Sequence, residues 1–160
     1  SDLLRGALMT KSFAAEYKSS TQQFLDLVSS LRPEDLDKSD GEGWNPRQVI
    51  HHLADSEAQS YARLRRLLAE PGTVIQGYDE GLWANNATLG YKTRDITTSL
   101  QVLSAVRQAS YELLCDVTEE QLDNTCTHTE SGQYSLRNWL SSYTRHPLDH
   151  AEQIRQQLKY

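Results

Sequence analysis

Five histidines carry most of the chemistry open to this chain: His51, His52, His128, His146 and His150. His146 and His150 are four residues apart, so on a helix they lie one turn apart on one face. That spacing lets two imidazoles reach one metal ion. A third ligand must come from elsewhere, and the adjacent pair His51 and His52 offers it. Val49, Leu53, Ser56, Ser60 and Leu64 bracket both, so periodicity leaves the choice between them open. His128 falls in a segment without a periodic pattern and is expected to be a solvated loop residue. Three imidazoles without a fourth protein ligand would leave a coordination position free, the pattern of catalytic rather than structural zinc. Neutral ligands also leave the ion its full charge, which lowers the pKa of water to about 7 or holds a thiol as its thiolate.

The remaining candidates surround such a centre. Asp55 and Asp149 each follow a candidate ligand by three residues and could orient an imidazole, or could simply be solvated on a helix face. Tyr78, Asp79, Glu80 and Trp83 combine polar groups with an aromatic wall, as a cover over an open metal position requires. The plainer role is that Trp83 packs into the end of a bundle. Trp44 and Trp139 are expected in the core. Cys115 and Cys126 are too few for a disulfide framework or a thiolate zinc site. Cys115 is expected in the core and Cys126 in a loop, neither as a nucleophile.

Four amphipathic segments must position these groups. Phe13, Tyr17, Phe24, Leu27, Val28 and Leu31 recur at three- and four-residue steps, predicting a first helix over about 12–31. Asn45 as N-cap and Pro46 at the first helical position begin a second helix, which Pro71 and Gly72 stop. A third helix is expected over about 93–115 and a fourth over about 135–158. Pro147 sits between the two spaced histidines, where it would kink the fourth helix or remove a backbone bond to Tyr143. The connection over 71–92 is long for a compact domain, which points to a role of its own. A second connection spans 116–134, with a short helical turn expected at Thr118–Gln121. Nothing alternates as a strand does, so the expected fold is all-α: one domain over 1–160, a four-helix bundle with two long connections.

Composition excludes several functions. With 160 residues and 38% hydrophobic content the chain can bury one ordinary core. A net charge of −6 argues against nucleic acid or an anionic membrane as a general partner. No apolar run approaches a membrane span, and no secretory signal is visible. Met9 is the only methionine, and residues 1–8 are expected to be an expression remnant. A cytosolic location is the default expectation.

Three segments taken together resemble the DinB/YfiT-like superfamily. They are Gly43-Trp-Asn-Pro-Arg-Gln-Val-Ile-His-His-Leu-Ala-Asp-Ser-Glu57, Tyr78-Asp-Glu-Gly-Leu-Trp83 and Tyr143-Thr-Arg-His-Pro-Leu-Asp-His-Ala-Glu-Gln-Ile154. The likeness covers about residues 33–158 and is nearest to the YfiT branch of metal-dependent hydrolases related to bacillithiol S-transferases. It implies up-down-down-up connectivity, with the 71–92 segment crossing over between parallel second and third helices. It also implies one divalent ion, zinc or nickel, on three histidines. Matched residue by residue, these are His52, the second of the adjacent pair, with His146 and His150. Many members of the family are homodimers. The function implied is transfer of a small thiol to an electrophile, or hydrolysis of a small substrate. The alternatives are a metal-binding or stress-induced bundle without catalysis, and a metal-free helical interaction module.

Overall fold

The computed structural model describes residues 2–160, with side chains from residue 12 onward; the expected remnant at 1–8 lies outside the described side chains. Four long helices form the bundle: α1 (Asp2–Ser29), α2 (Pro46–Ala69), α4 (Thr97–Leu114) and α5 (Leu136–Gln157). A short α3 (Glu80–Asn85) and three strands fill the two long connections. The strands are β1 (Val74–Ile75), β2 (Thr125–His128) and β3 (Gly132–Ser135). The expectation of an all-α four-helix bundle is therefore corrected. Among the described residues the chain has five α-helices and a three-stranded mixed sheet in the order β1-β2-β3. β1 pairs parallel with β2, Val74 opposite Thr127, and β2 pairs antiparallel with β3, Cys126 opposite Tyr134. These strands are two to four residues long and mostly polar. Alternation cannot show over so few residues; β2 and β3 form a local hairpin, while β1 finds its partner only across about fifty residues.

Local chemistry explains the helix starts. Asn45 accepts from the backbone N–H of Gln48 while the Gln48 side chain accepts from the N–H of Asn45, both at 2.9 Å. Ser135 and Asn138 make the same reciprocal pair at the start of α5. Each box satisfies donors that the first turn would otherwise leave free. The expected turn at Thr118–Gln121 is displaced, and a 3₁₀ turn forms at Gln121–Asp123. The third long helix starts at Thr97, four residues later than expected, because residues 91–96 turn back toward α2.

Contacts fix the directions. His51 meets Ser99 and Glu57 meets Arg107, so α2 and α4 run the same way. Tyr17 stacks on Trp139 at 5.8 Å between ring centroids, and Phe24 clusters with Ile154, so α1 and α5 also run together. The two pairs oppose each other: Trp139 donates to the Ser60 carbonyl, while Leu53 clusters with Ile154.

The core has two apolar clusters. One, with Tyr17, Leu64, Leu114, Leu136 and Trp139, faces the sheet end; the other, with Phe24, Ile50, Leu53, Leu103 and Ile154, fills the far end. Between them lies a polar layer centred on Arg107, which is 1% exposed. All five of its N–H donors are used. They reach Thr21 Oγ1 (2.7 Å), Glu57 Oε1 (2.9 Å), Tyr143 O (2.8 Å), Tyr17 O (3.2 Å) and Ser20 Oγ (2.9 Å). The bond to Tyr143 O explains how α5 tolerates Pro147. Proline has no N–H to give to the carbonyl four residues earlier, and that carbonyl is Tyr143's. Arg107 supplies the donor from α4, and α5 runs on through Pro147 to Gln157.

Candidate metal centre

The structure brings His52 of α2 together with His146 and His150 of α5. One ring nitrogen from each lies within 4.8 Å of the others. Ring centroids are 5.4 Å apart for His52 and His146, 4.8 Å for His52 and His150, and 4.4 Å for His146 and His150. His146 Nε2 and His150 Nε2 are 3.0 Å apart. Two nitrogens on one tetrahedral ion, at bond lengths of 2.0–2.1 Å, would stand about 3.4 Å apart, so a small relaxation suffices.

Hydrogen bonding tests whether the group fits a cation. Both ring nitrogens of His52 and Nδ1 of His146 are buried without a partner. Buried polar atoms are nearly always satisfied, and His52, with neither ring nitrogen partnered, faces the His146–His150 pair as a shared ligand would require. Burial pushes the His52 imidazole down to about 3, helped by the nearby His150. Burial, then His150, His52 and Arg107, push His146 lower still, to about 2. Burial also lowers His150, against the opposing effects of Gln153 and Asp149. All three are therefore neutral at pH 7, the form that ligates. Gln153 Oε1 lies 2.7 Å from His150 Nδ1. A carbonyl oxygen only accepts, so Nδ1 carries the proton and the Nε2 lone pair faces the centre.

His51 is satisfied elsewhere, so of the adjacent pair it is His52 that faces His146 and His150. Its Nε2 lies 2.9 Å from the Arg94 carbonyl and its Nδ1 2.7 Å from Ser99 Oγ. It pins α4 to α2. His128 departs from expectation: it is buried in β2, where its Nδ1 accepts from the N–H groups of Glu130 and Ser131. Neither aspartate holds a ligand imidazole. Asp55 accepts from Tyr91 at 2.5 Å, and Asp149 is exposed beside Arg145. Gln153, one turn beyond Asp149, takes the orienting position instead. Trp44 is only half-buried and stands against His52, ring centroids 4.8 Å apart. Trp139 is fully buried. The cysteines reverse their expected places, Cys115 being exposed and Cys126 buried between β1 and β3.

The 71–92 connection lies over the helices that carry the histidines. Asp79 caps α3 by accepting from Leu82 N–H at 3.0 Å, a structural task. Tyr78 and Trp83 pack ring to ring at 4.6 Å. Together with Gln59, Gln76 and Leu82 they line a cavity of about 440 Å³. A second cavity of about 200 Å³ reaches His146 itself and is walled by Ser56, Arg63, Tyr78, Glu80, Tyr134 and Tyr143. Arg63 and Tyr134 had no signal in the sequence: neither belongs to a motif, and only the fold brings them to His146.

Residues 16–154 match the family model of the DinB superfamily. A protein of Oceanobacillus iheyensis is 37% identical over 128 residues, 79% of this chain and 73% of its own length. One from Halalkalibacterium halodurans is 32% identical over 133 residues, 82% of this chain and 76% of its own. Both carry names that mark them as candidate metal-dependent hydrolases. Among solved structures, YfiT from Bacillus subtilis superposes with a TM-score of 0.83 at 28% identity, covering 94% of this chain and 86% of that one. It is described as a probable metal-dependent hydrolase with an unusual four-helix bundle topology.

Proposed function

The chain belongs to the DinB superfamily, and from that premise we propose that it is a metal-dependent enzyme centred on His52, His146 and His150. The observation that carries the reading is the cluster of three imidazoles from two helices, one ring nitrogen of each within 4.8 Å of the others, beside a polar cavity. A divalent ion there, zinc or nickel, supplies a Lewis acid that makes water or a thiol nucleophilic near neutral pH. The relatives' names favour water, hence hydrolysis; a small thiol at the same position gives transfer to an electrophile.

The chain's own residues do the rest. The three imidazoles are held neutral by burial, and Gln153 aims His150. The Trp44 ring lies against His52 and keeps solvent from that side. Tyr78, Glu80 and Trp83 form the wall against which substrate is placed, with Asp79 holding the first turn of α3. A cytosolic homodimer remains part of the proposal, checked by cell fractionation and by sedimentation equilibrium.

The test has two parts. Metal analysis of the purified protein should find about one divalent ion per chain, lost when His52, His146 and His150 are all replaced by Ala. Stoichiometric metal in that triple variant would refute the site. Esters and amides, and a panel of bacillithiol, mycothiol, glutathione and coenzyme A with an electrophile, are then assayed with and without chelator. Ion uptake without any chelator-sensitive turnover would leave the non-catalytic metal-binding bundle as the function.

A further inference from the structure

The cavity beside His146 holds a cation that the proposed metal chemistry does not use. Arg63 projects into it from α2. Its Nη1 donates to Tyr143 Oη at 3.2 Å and its Nη2 to the Gln76 carbonyl at 3.1 Å. Both acceptors are neutral. Nε is buried with no partner, and Arg63 takes part in none of the ion pairs formed among the described residues. An arginine that is partly desolvated, braced at two nitrogens and left without a carboxylate is unusual, because guanidinium fits planar oxyanions best. A second donor shares the cavity: Tyr78 Oη is also buried without a partner. The one carboxylate on the wall, Glu80, sits on the exposed first turn of α3. Arg63 and Glu80 share the wall, so a ligand of one negative charge can pair with the guanidinium and meets less repulsion from the carboxylate than a ligand of two.

We propose that Arg63 and Tyr78 form the anchor for a substrate carboxylate, holding it in the cavity beside His146 so that the rest of the molecule reaches the three histidines. This rests on the reading of those histidines as a metal centre, and it narrows the substrate to a small carboxylate-bearing molecule. The volume, about 200 Å³, is that of roughly seven waters. It takes a carboxylate and a few carbons, and a larger substrate must extend past Tyr78 and Trp83 into the adjoining cavity. Arg63 is thus a specificity-determining residue as well as a brace between Tyr143 and the 71–92 connection.

The experiment compares 3-mercaptopropionate with 2-mercaptoethanol on the ion-loaded protein, and propionate with inorganic phosphate on the chelated protein, all by calorimetry. The charged thiol should bind about tenfold or more tightly than the neutral one, the range expected of a charge-assisted bond. Arg63→Gln should erase that advantage while leaving ion content and 2-mercaptoethanol affinity unchanged. Tyr78→Phe, which keeps the ring packing against Trp83, should remove part of it. Propionate should bind the chelated wild type more tightly than phosphate does, and Arg63→Gln should weaken it. Equal affinity for the two thiols with propionate binding indifferent to Arg63→Gln would overturn the anchor. So would a preference for phosphate. A protein that takes up no ion yet binds propionate through Arg63 would uphold the anchor and remove the metal-enzyme reading, so the two failures are told apart.

Discussion

Arg107 and Pro147 should behave as one energetic unit. Arg107→Met keeps an unbranched apolar stem out to the position of Nε but removes the guanidinium and with it all five donors. Glu57, 0% exposed, would keep only the Ser60 hydroxyl at 2.7 Å as a partner. Breaking one side of a buried ion pair costs about 3–5 kcal/mol. The Tyr143 carbonyl would lose its only replacement for the missing helix bond, an orphan acceptor worth about 1–3 kcal/mol more. The expected loss is roughly 4–8 kcal/mol, a large part of the roughly 5–15 kcal/mol that holds a domain together. Pro147→Ala returns an N–H to position 147, four residues beyond Tyr143. Its effect should therefore be more favourable, by about 1–3 kcal/mol, in the Arg107→Met background than in the wild type. Urea unfolding of the four proteins, followed by far-ultraviolet circular dichroism, measures this coupling directly. A coupling of zero would show that Arg107 does not stand in for the lost bond, and the account of how α5 passes through Pro147 would fall.

Acid should weaken the chelated protein. The folded-state values of His52 and His146 lie near 3 and 2, below the unfolded value of about 6.5, so the unfolded chain binds more protons as pH falls below 6.5. From these two residues stability should drop by about 2.7 kcal/mol per pH unit below roughly pH 6; a flat unfolding midpoint between pH 6.5 and 4.5 would contradict their burial as neutral groups. His51→Ala should cost about 1–3 kcal/mol by stranding Ser99 and the Arg94 carbonyl yet leave ion content unchanged, and loss of the ion would reassign His51 as a ligand. Trp83→Ala removes the ring against Tyr78 and should raise KM roughly fivefold, about 1 kcal/mol of packing, at constant ion content; an unchanged KM would place substrate elsewhere.

What sequence alone discloses here follows the range of each interaction. The starts of α2 and α5 rest on contacts three residues long, and Asn45 with Pro46 announces the first of them. The histidine spacing is likewise local, since one helix face carries His146 and His150. The choice of His52 over His51 was carried by the likeness to a family; the structure adds the physical cause, which is that Arg94 and Ser99 occupy His51. Long-range features stayed hidden. β1 joins β2 from about fifty positions away, and the β2–β3 hairpin is too short and polar to alternate, so the sequence alone predicts an all-helical fold. The same sheet explains Cys126, because a strand that has no signal in the sequence carries it into the core cluster with Leu67 and Leu136. Asp149 has the expected spacing, but its side chain is turned to solvent toward Arg145, and Gln153 is the residue that reaches His150. Arg107 is an isolated arginine in a helical pattern until the partners it meets on α1, α2 and α5 are known.

The sheet also sets a lever. Gly72 donates to the Thr125 carbonyl, Asn124 to that of Leu67, and Leu136 to that of Asn124, so the late end of α2 and the early end of α5 are clasped together. His52 lies fifteen residues from Leu67 along α2, about 22 Å at 1.5 Å per residue. A splay of about 5° about that clasp would move His52 by roughly 2 Å, many times the tolerance of about 0.2 Å on a ligand bond. The proposed centre is thus a caliper whose jaws are two helices and whose pivot is at the other end of the molecule. Affinity for an ion held there would be a gauge of helix splay, readable at the histidines when the disturbance is at Asn124 or Arg107.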